Sequence, residues 1–175
     1  MLWIPRFFRM ESDVTAKLVM DPEPQLLRPE ETIGDAAEKI LQCHHRSIAV
    51  VDDNRRFLGL VTVSSLLYLV LPKAATMHKG VDSLSYMDVS LAELKARFMK
   101  HADEPVSVCM EAPKVVVHPD TPLLDALLAL YRNRRNLPVV DRDTGVLEGM
   151  ITYFDVGAHI LGAEEESADG IRISE

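Results

Sequence analysis

Apolar and polar positions along this chain fall into short blocks that occur twice in the same order. In the later series, KVVVHPD is a β-branched run halted by Pro119, which predicts a short strand. Thr121 followed by Pro122 predicts a helix start, with Thr as the cap and Pro at the first helical position. The residues LLDALLALYRN then place Leu124, Leu127, Leu128 and Tyr131 on one helical stripe. LPVVD predicts a buried strand and RDTG a turn carrying Gly145. VLEGMIT is a second strand, running into a closing helix over YFDVGAHIL. The order is β-α-β-β-α.

The earlier series repeats these elements with the same punctuation. Met20 matches Met110, Pro29 matches Pro119, Asp35 matches Asp125 and Gly59 matches Gly149, while VVD recurs at Val50–Asp52 and Val139–Asp141. Neither copy, at about fifty residues, has enough core to be stable alone, so the two are expected to pack as one module. The predicted class is α+β, with two pseudo-symmetric β-α-β-β-α units at 16–72 and 105–162. Residues 1–15 are an N-terminal arm. Residues 73–104 are a helical connector, in which Ser90 and Glu93 form a capping box and Leu91, Leu94 and Phe98 recur at helical spacing. Residues 163–175 are acidic and poor in apolar positions, which predicts a disordered tail.

Charge and composition narrow the chemistry. The 175 residues carry a net charge of −8 with a pI near 5.2, a balance that repels the phosphate backbone of DNA or RNA. Cys43 and Cys109 stand apart without a CxxC partner, which predicts a reduced, cytoplasmic protein without a disulfide framework. His44 and His45 beside Cys43 have no second ligand cluster, so no metal site is expected. The apolar octet MLWIPRFF holds Pro5 and two arginines and is too short for a membrane span or a signal-peptide core. It is a surface patch, a docking arm or a helix partner. The run Leu66–Leu71 ends at Pro72 and is also too short to cross a bilayer. No nucleophile with an ordered base and no Walker-type loop stands out, so no catalytic residue is assigned and no cofactor is required.

The stretch GMITYFDV, Gly149–Val156, carries the chemistry of interest. A strand ending near Gly149 and turning into a helix at Thr152 exposes free backbone N–H groups at a positive dipole end, a natural seat for phosphate. Asp155 can accept hydrogen bonds from both vicinal hydroxyls of a ribose, and Gly149 leaves room for close approach. Thr-x-x-Asp is equally a self-sufficient helix cap, and one carboxylate can do both jobs. The earlier copy reads GLVTVSSL, keeping Thr62 but placing Ser65 where Asp155 stands. A hydroxyl cannot offer two acceptor oxygens to a diol, so this second site is expected to be weaker.

The combination of Pro, cap, amphipathic helix, LPVVD and then Gly, two apolar residues and Thr-x-x-Asp, written twice, resembles the cystathionine β-synthase (CBS) domain. The tandem arrangement resembles a Bateman module and covers nearly all of 16–162. The resemblance implies a regulatory module whose clefts take AMP, ADP, ATP or a related adenosyl compound. It implies that Val116, Val117, His118, Asp120, Thr121, Leu137 and Pro138 line an adenine slot. It also implies that Arg134 and Arg135 in YRNRRN, with His45 and Arg46 in CHHRS, face the phosphates; a charge run of this kind is otherwise a solvated surface. Family resemblance and the apolar closing helices together predict a homodimer and an unknown regulated partner protein. The competing expectation is a structural interaction module that dimerises or docks a partner and never binds nucleotide.

Overall fold

The computed structural model describes residues 14–43, 46–71 and 89–162. Helix α1 (Ile33–Cys43) begins where Thr32 and Asp35 cap one another. The Thr32 hydroxyl accepts from the Asp35 N–H at 3.1 Å, and the Asp35 carboxylate accepts from the Thr32 hydroxyl at 2.7 Å and N–H at 3.2 Å. Those bonds, the hydroxyl's above all, hold the Asp35 carboxyl below its usual range, and Lys39 adds attraction. Ile33, Ala36 and Ile40 point inward from this helix.

Three strands complete the sheet of the first copy: β1 (Leu26–Leu27), β2 (Ser47–Val51) and β3 (Phe57–Thr62). Their order is β1-β2-β3, with β1 parallel and β3 antiparallel to β2, in a register that sets Val50 beside both Leu27 and Gly59. Every residue of β2 is buried, as expected of a central strand covered on both faces. Helix α2 (Val63–Val70) follows β3 directly. The connector forms helix α3 (Leu91–His101), which packs on α2 and α1 and sets Phe98 against their core. The capping box expected there is half formed. The Ser90 hydroxyl accepts from the Glu93 N–H at 3.2 Å, but the Glu93 carboxylate accepts from the Arg97 guanidinium at 2.7 Å instead of reaching back.

The second copy forms α4 (Leu123–Asn133), β4 (Leu137–Val140), β5 (Leu147–Ile151) and α5 (Tyr153–Leu161). Strands β4 and β5 pair in a two-stranded sheet. The strand expected over KVVVHPD contracts to one parallel bridge, Val117 with Val139. Pro113 and Pro119 bracket this run and limit its ladder. The predicted cap also moves. Pro122 holds the N-cap position at φ −53° and ψ 137°, and the Thr121 hydroxyl turns back to accept the His118 N–H at 2.9 Å. A residue before proline is pushed out of the helical region, so Thr121 sits outside the helix. The face of α4 differs too: Ala126 and Leu130 enter the core, while Leu124 and Tyr131 stay 69% and 71% exposed. Apolar residues surround most of α4, so periodicity alone does not choose its inner face.

Two compact units emerge, each with its own core, and their composition does not follow the chain order. One, built on the second copy, takes described residues 14–22, 115–141 and 148–162; the other, built on the first copy, takes 23–43, 46–71, 89–114 and 142–147. Each unit thus includes the methionine-centred segment that opens the other copy. In the second-copy unit the Ala16 N–H donates to the Thr121 carbonyl at 2.8 Å, and Asp21 and Met150 exchange backbone bonds of 2.8 and 3.0 Å. In the first-copy unit the Val106 N–H donates to the Glu31 carbonyl at 2.8 Å, and Leu60 and Glu111 exchange two of 2.9 Å.

Candidate functional site

The residues around Thr152 and Asp155 gather in the second-copy unit. Strand β5 ends at Ile151, and Thr152, in extended geometry, caps α5. Its hydroxyl accepts from the Phe154 N–H at 3.1 Å and the Asp155 N–H at 3.2 Å, while Asp155 Oδ2 accepts from the Thr152 N–H at 2.8 Å. This is a complete capping box, and it engages one carboxylate oxygen. Asp155 Oδ1 has no hydrogen-bond partner among the described residues, and the side chain is half-buried. The positive end of α5 also favours an anion at this position.

The first copy satisfies the same turn with a hydroxyl, and fully occupies it. Ser65 Oγ accepts from the Thr62 N–H at 2.9 Å and donates to the Thr62 carbonyl at 2.8 Å, and Thr62 Oγ1 lies 3.3 Å away. Both Thr62 and Ser65 are buried. The helix start therefore survives without a carboxylate, but no oxygen of Ser65 is left over.

Gly149 has a structural reason that needs no ligand. A Cβ built on it would lie 2.5 Å from the Asp21 carbonyl oxygen and 3.0 Å from Met20 Sδ. Gly59 is the parallel case, with Met110 Cγ at 2.6 Å and the Glu111 carbonyl at 2.8 Å. Both glycines admit the segment exchanged into their unit.

The other predicted residues divide by exposure. Val117 and Leu137 belong to the hydrophobic core, and Pro138 is also fully buried. Val117 donates its N–H to the Pro138 carbonyl at 3.0 Å and accepts from the Val140 N–H at 2.9 Å. Val116 and Asp120 are exposed, and His118 and Thr121 half-buried. His118 to Thr121 form a turn closed by the Thr121 N–H donating to the His118 carbonyl at 2.9 Å. His118 Nδ1 donates to the Val140 carbonyl at 2.7 Å, which orients the ring and makes Nε2 the acceptor of the neutral imidazole.

Arg134 and Arg135 follow α4 and are exposed. Arg134 is the left-handed C-cap, with φ 53°, and its N–H donates to the Leu130 carbonyl at 3.0 Å. The same carbonyl accepts from the Tyr153 hydroxyl at 2.8 Å, which ties the first turn of α5 to the end of α4. Tyr153 was not among the sequence candidates; its place just after Thr152 is the only signal that points to it. Arg46 is exposed and lies in the first-copy unit with Thr62 and Ser65, and His45 lies outside the described residues. Among the described residues no cluster of His, Cys, Asp or Glu is arranged to hold a metal, and no helix is long and apolar enough to cross a membrane.

A repeated strand, turn and helix unit, closed each time by a Thr-capped helix, defines a tandem-repeat α+β architecture. The chain belongs to the CBS domain family, which matches residues 12–72 and 105–162. It is 29% identical over 156 residues to the CBS domain-containing protein CBSX2, chloroplastic, of Arabidopsis thaliana; the match takes in 85% of this chain and spans 64% of that relative's length. The crystal structure of the CBS-pair protein CBSX2 superposes with a TM-score of 0.66 at 26% identity, over 87% of this chain and 98% of that one. CBSX2 in complex with AMP superposes with a TM-score of 0.62 at 27% identity, over 86% and 98%.

Proposed function

We propose that this chain is a regulatory module that binds an adenine nucleotide or related adenosyl compound at the Thr152–Asp155 helix start and passes the binding state to a partner protein. The observation that carries the proposal is the division of labour in Asp155: one oxygen caps α5 and the other remains for a ribose hydroxyl. The Tyr153 N–H, which the capping box does not use, and the exposed Arg134 supply donors for phosphate, and the half-buried His118 and exposed Val116 supply an edge and a face for the base. The existence of an AMP complex of CBSX2 supports the ligand class. The Thr62–Ser65 turn is the weaker or empty counterpart, because its hydroxyl is already used. The role is regulatory rather than catalytic, and its setting cytoplasmic, on the strength of two isolated cysteines.

Assembly belongs to the same proposal. Each closing helix presents apolar side chains to solvent: Leu67 and Tyr68 on α2, Phe154 and Leu161 on α5. Those faces suit a homodimer, and light scattering that returns 19.6 kDa at micromolar concentration would exclude it.

A scaffold without nucleotide is favoured by one observation: both capping boxes and both glycines are satisfied by the chain itself. Thermal melting with AMP, ADP, ATP, NAD and S-adenosylmethionine separates the readings. A ligand at a hundred times its Kd adds about 2.7 kcal/mol of stability. A shift with at least one adenosyl compound supports the nucleotide module, and no shift with any supports the scaffold.

A further inference from the structure

The internal symmetry of the two units relates the sequence that precedes each of them. Residue n of the first copy corresponds to n + 90 of the second across Met20 and Met110, Asp35 and Asp125, and Thr62 and Thr152. The chain approaches the two units along equivalent tracks. The Ile33 N–H donates to the Glu104 carbonyl at 2.9 Å in one, and the Leu123 N–H donates to the Val14 carbonyl at 3.0 Å in the other. The Val106 to Glu31 bond likewise repeats as Ala16 to Thr121, both at 2.8 Å. Upstream of the first of these tracks lies α3, covering α1 and α2 with Phe98 against the core. Upstream of the second, at the same spacing, lies MLWIPRFFRME, which sets Phe8 opposite Phe98, Ile4 opposite Leu94 and Met1 opposite Leu91.

The second-copy unit shows the surface that such a segment would cover. Gly34 of α1 and Val70 of α2 are half-buried in the first-copy unit, and the Gly34 N–H donates to the Ala102 carbonyl at 2.9 Å just beyond α3. Their counterparts, Leu124 on α4 and Ile160 on α5, are 69% and 75% exposed. We propose that residues 1–13 dock over Leu124 of α4 and Ile160 of α5, with Phe8 in the role that Phe98 plays on the other unit. Reach does not limit this: thirteen residues span about 20 Å as a helix and about 40 Å extended, while α4 is about 16 Å long. The occupant is not a copy of α3. Pro5 restricts any helix to the residues from Pro5 onward, and Leu124 in place of glycine holds the segment farther out, a gap that Trp3, Phe7 and Phe8 are large enough to fill.

Trp3 is the single tryptophan of the chain and reports directly on this docking. In the full-length protein its emission is expected to lie to the blue of that in urea and to resist acrylamide quenching, at every protein concentration tested. Leu124→Lys, Ile160→Lys and Phe8→Ala should each shift the emission red and raise the quenching constant towards the urea value, with far-UV circular dichroism unchanged. Leu91→Lys, on the exposed side of α3 in the other unit, should do neither. Quenching of the wild type as free as in urea overturns the proposal. So does protection that disappears on dilution, which would make a second copy the occupant, or protection that survives all three variants, which would put the segment elsewhere.

Discussion

Replacing Asp155 with serine separates its two proposed jobs, because the protein already contains that replacement in its other copy. Ser65 caps α2 with an Oγ that accepts from the Thr62 N–H at 2.9 Å, against 2.8 Å for Asp155 Oδ2 and Thr152. Asp155→Ser should therefore retain the cap, whose outright loss costs about 0.5–2 kcal/mol. What it removes is a carboxylate at a helix N-terminus, about 0.3–1 kcal/mol, or at most about 4 °C in Tm for a chain of this size. Nucleotide binding should suffer far more. A buried ribose hydroxyl deprived of its acceptor costs about 1–3 kcal/mol, which weakens AMP roughly tenfold to a hundredfold. Asp155→Ala should weaken AMP equally but lower Tm further, since it loses the cap as well.

Calorimetry with AMP and with its 2′,3′-dideoxy analogue supplies the measurement. Wild type should prefer AMP, and Asp155→Ser should bind both compounds with the same low affinity, because the coupling between carboxylate and diol is gone. An Asp155→Ser variant that binds AMP with the wild-type Kd refutes the ribose role and leaves Asp155 as a cap. The reciprocal change is not expected to create a second strong site. Ser65 is buried, and its Oγ donates to the Thr62 carbonyl at 2.8 Å, which a carboxylate cannot do. Ser65→Asp should lower stability by about 1–3 kcal/mol without raising affinity.

Arg134→Gly should move stability and binding in opposite directions: relief of the left-handed strain at φ 53° raises stability by up to about 1 kcal/mol, while AMP weakens more than adenosine. Equal losses for both ligands would take Arg134 away from the phosphate. Gly149→Ala should destabilise the protein by about 1–3 kcal/mol, since its Cβ would meet the Asp21 carbonyl at 2.5 Å; an unchanged urea midpoint would show that the exchanged segment yields freely. The Asp35 carboxyl is held below its usual range, so its contribution is complete above the unfolded value of about 3.9 and is lost as pH falls through the lower folded value. The Tm advantage of wild type over Asp35→Asn should therefore shrink below about pH 4, and a constant advantage from neutral to acid pH would contradict this assignment.

Local signals made most of the elements legible. The Thr62 and Thr152 caps, the central strands and the closing helices follow from side chains that act within four residues of themselves. Readings failed where a distant partner decides. The run KVVVHPD has strand composition, but its ladder depends on what β4 offers and yields one bridge. The stripe Leu124, Leu127, Leu128 and Tyr131 has helical spacing, but the fully buried positions are Ala126 and Leu130. The exchange of methionine-centred segments is less visible still, being a long-range pairing whose trace in the sequence is a pair of glycines. Gly149 looks from its sequence like room for a ligand, and the chain itself takes that room.

The two helix starts, at Thr62 and Thr152, diverge at the residue that completes each capping box. A motif read as ligand-binding contains parts that the fold needs and parts that it does not, and a second copy within one chain sorts them. Glycine and threonine persist in both copies because an exchanged segment and a helix start require them each time. The carboxylate changes to serine in one copy with its capping bond preserved, so the fold does not require a carboxylate there. A residue that serves the cap with one oxygen and keeps the other is where a binding function can be gained or lost at little expense in stability. Asp155 has that property in this chain, and Ser65 shows the same turn without it.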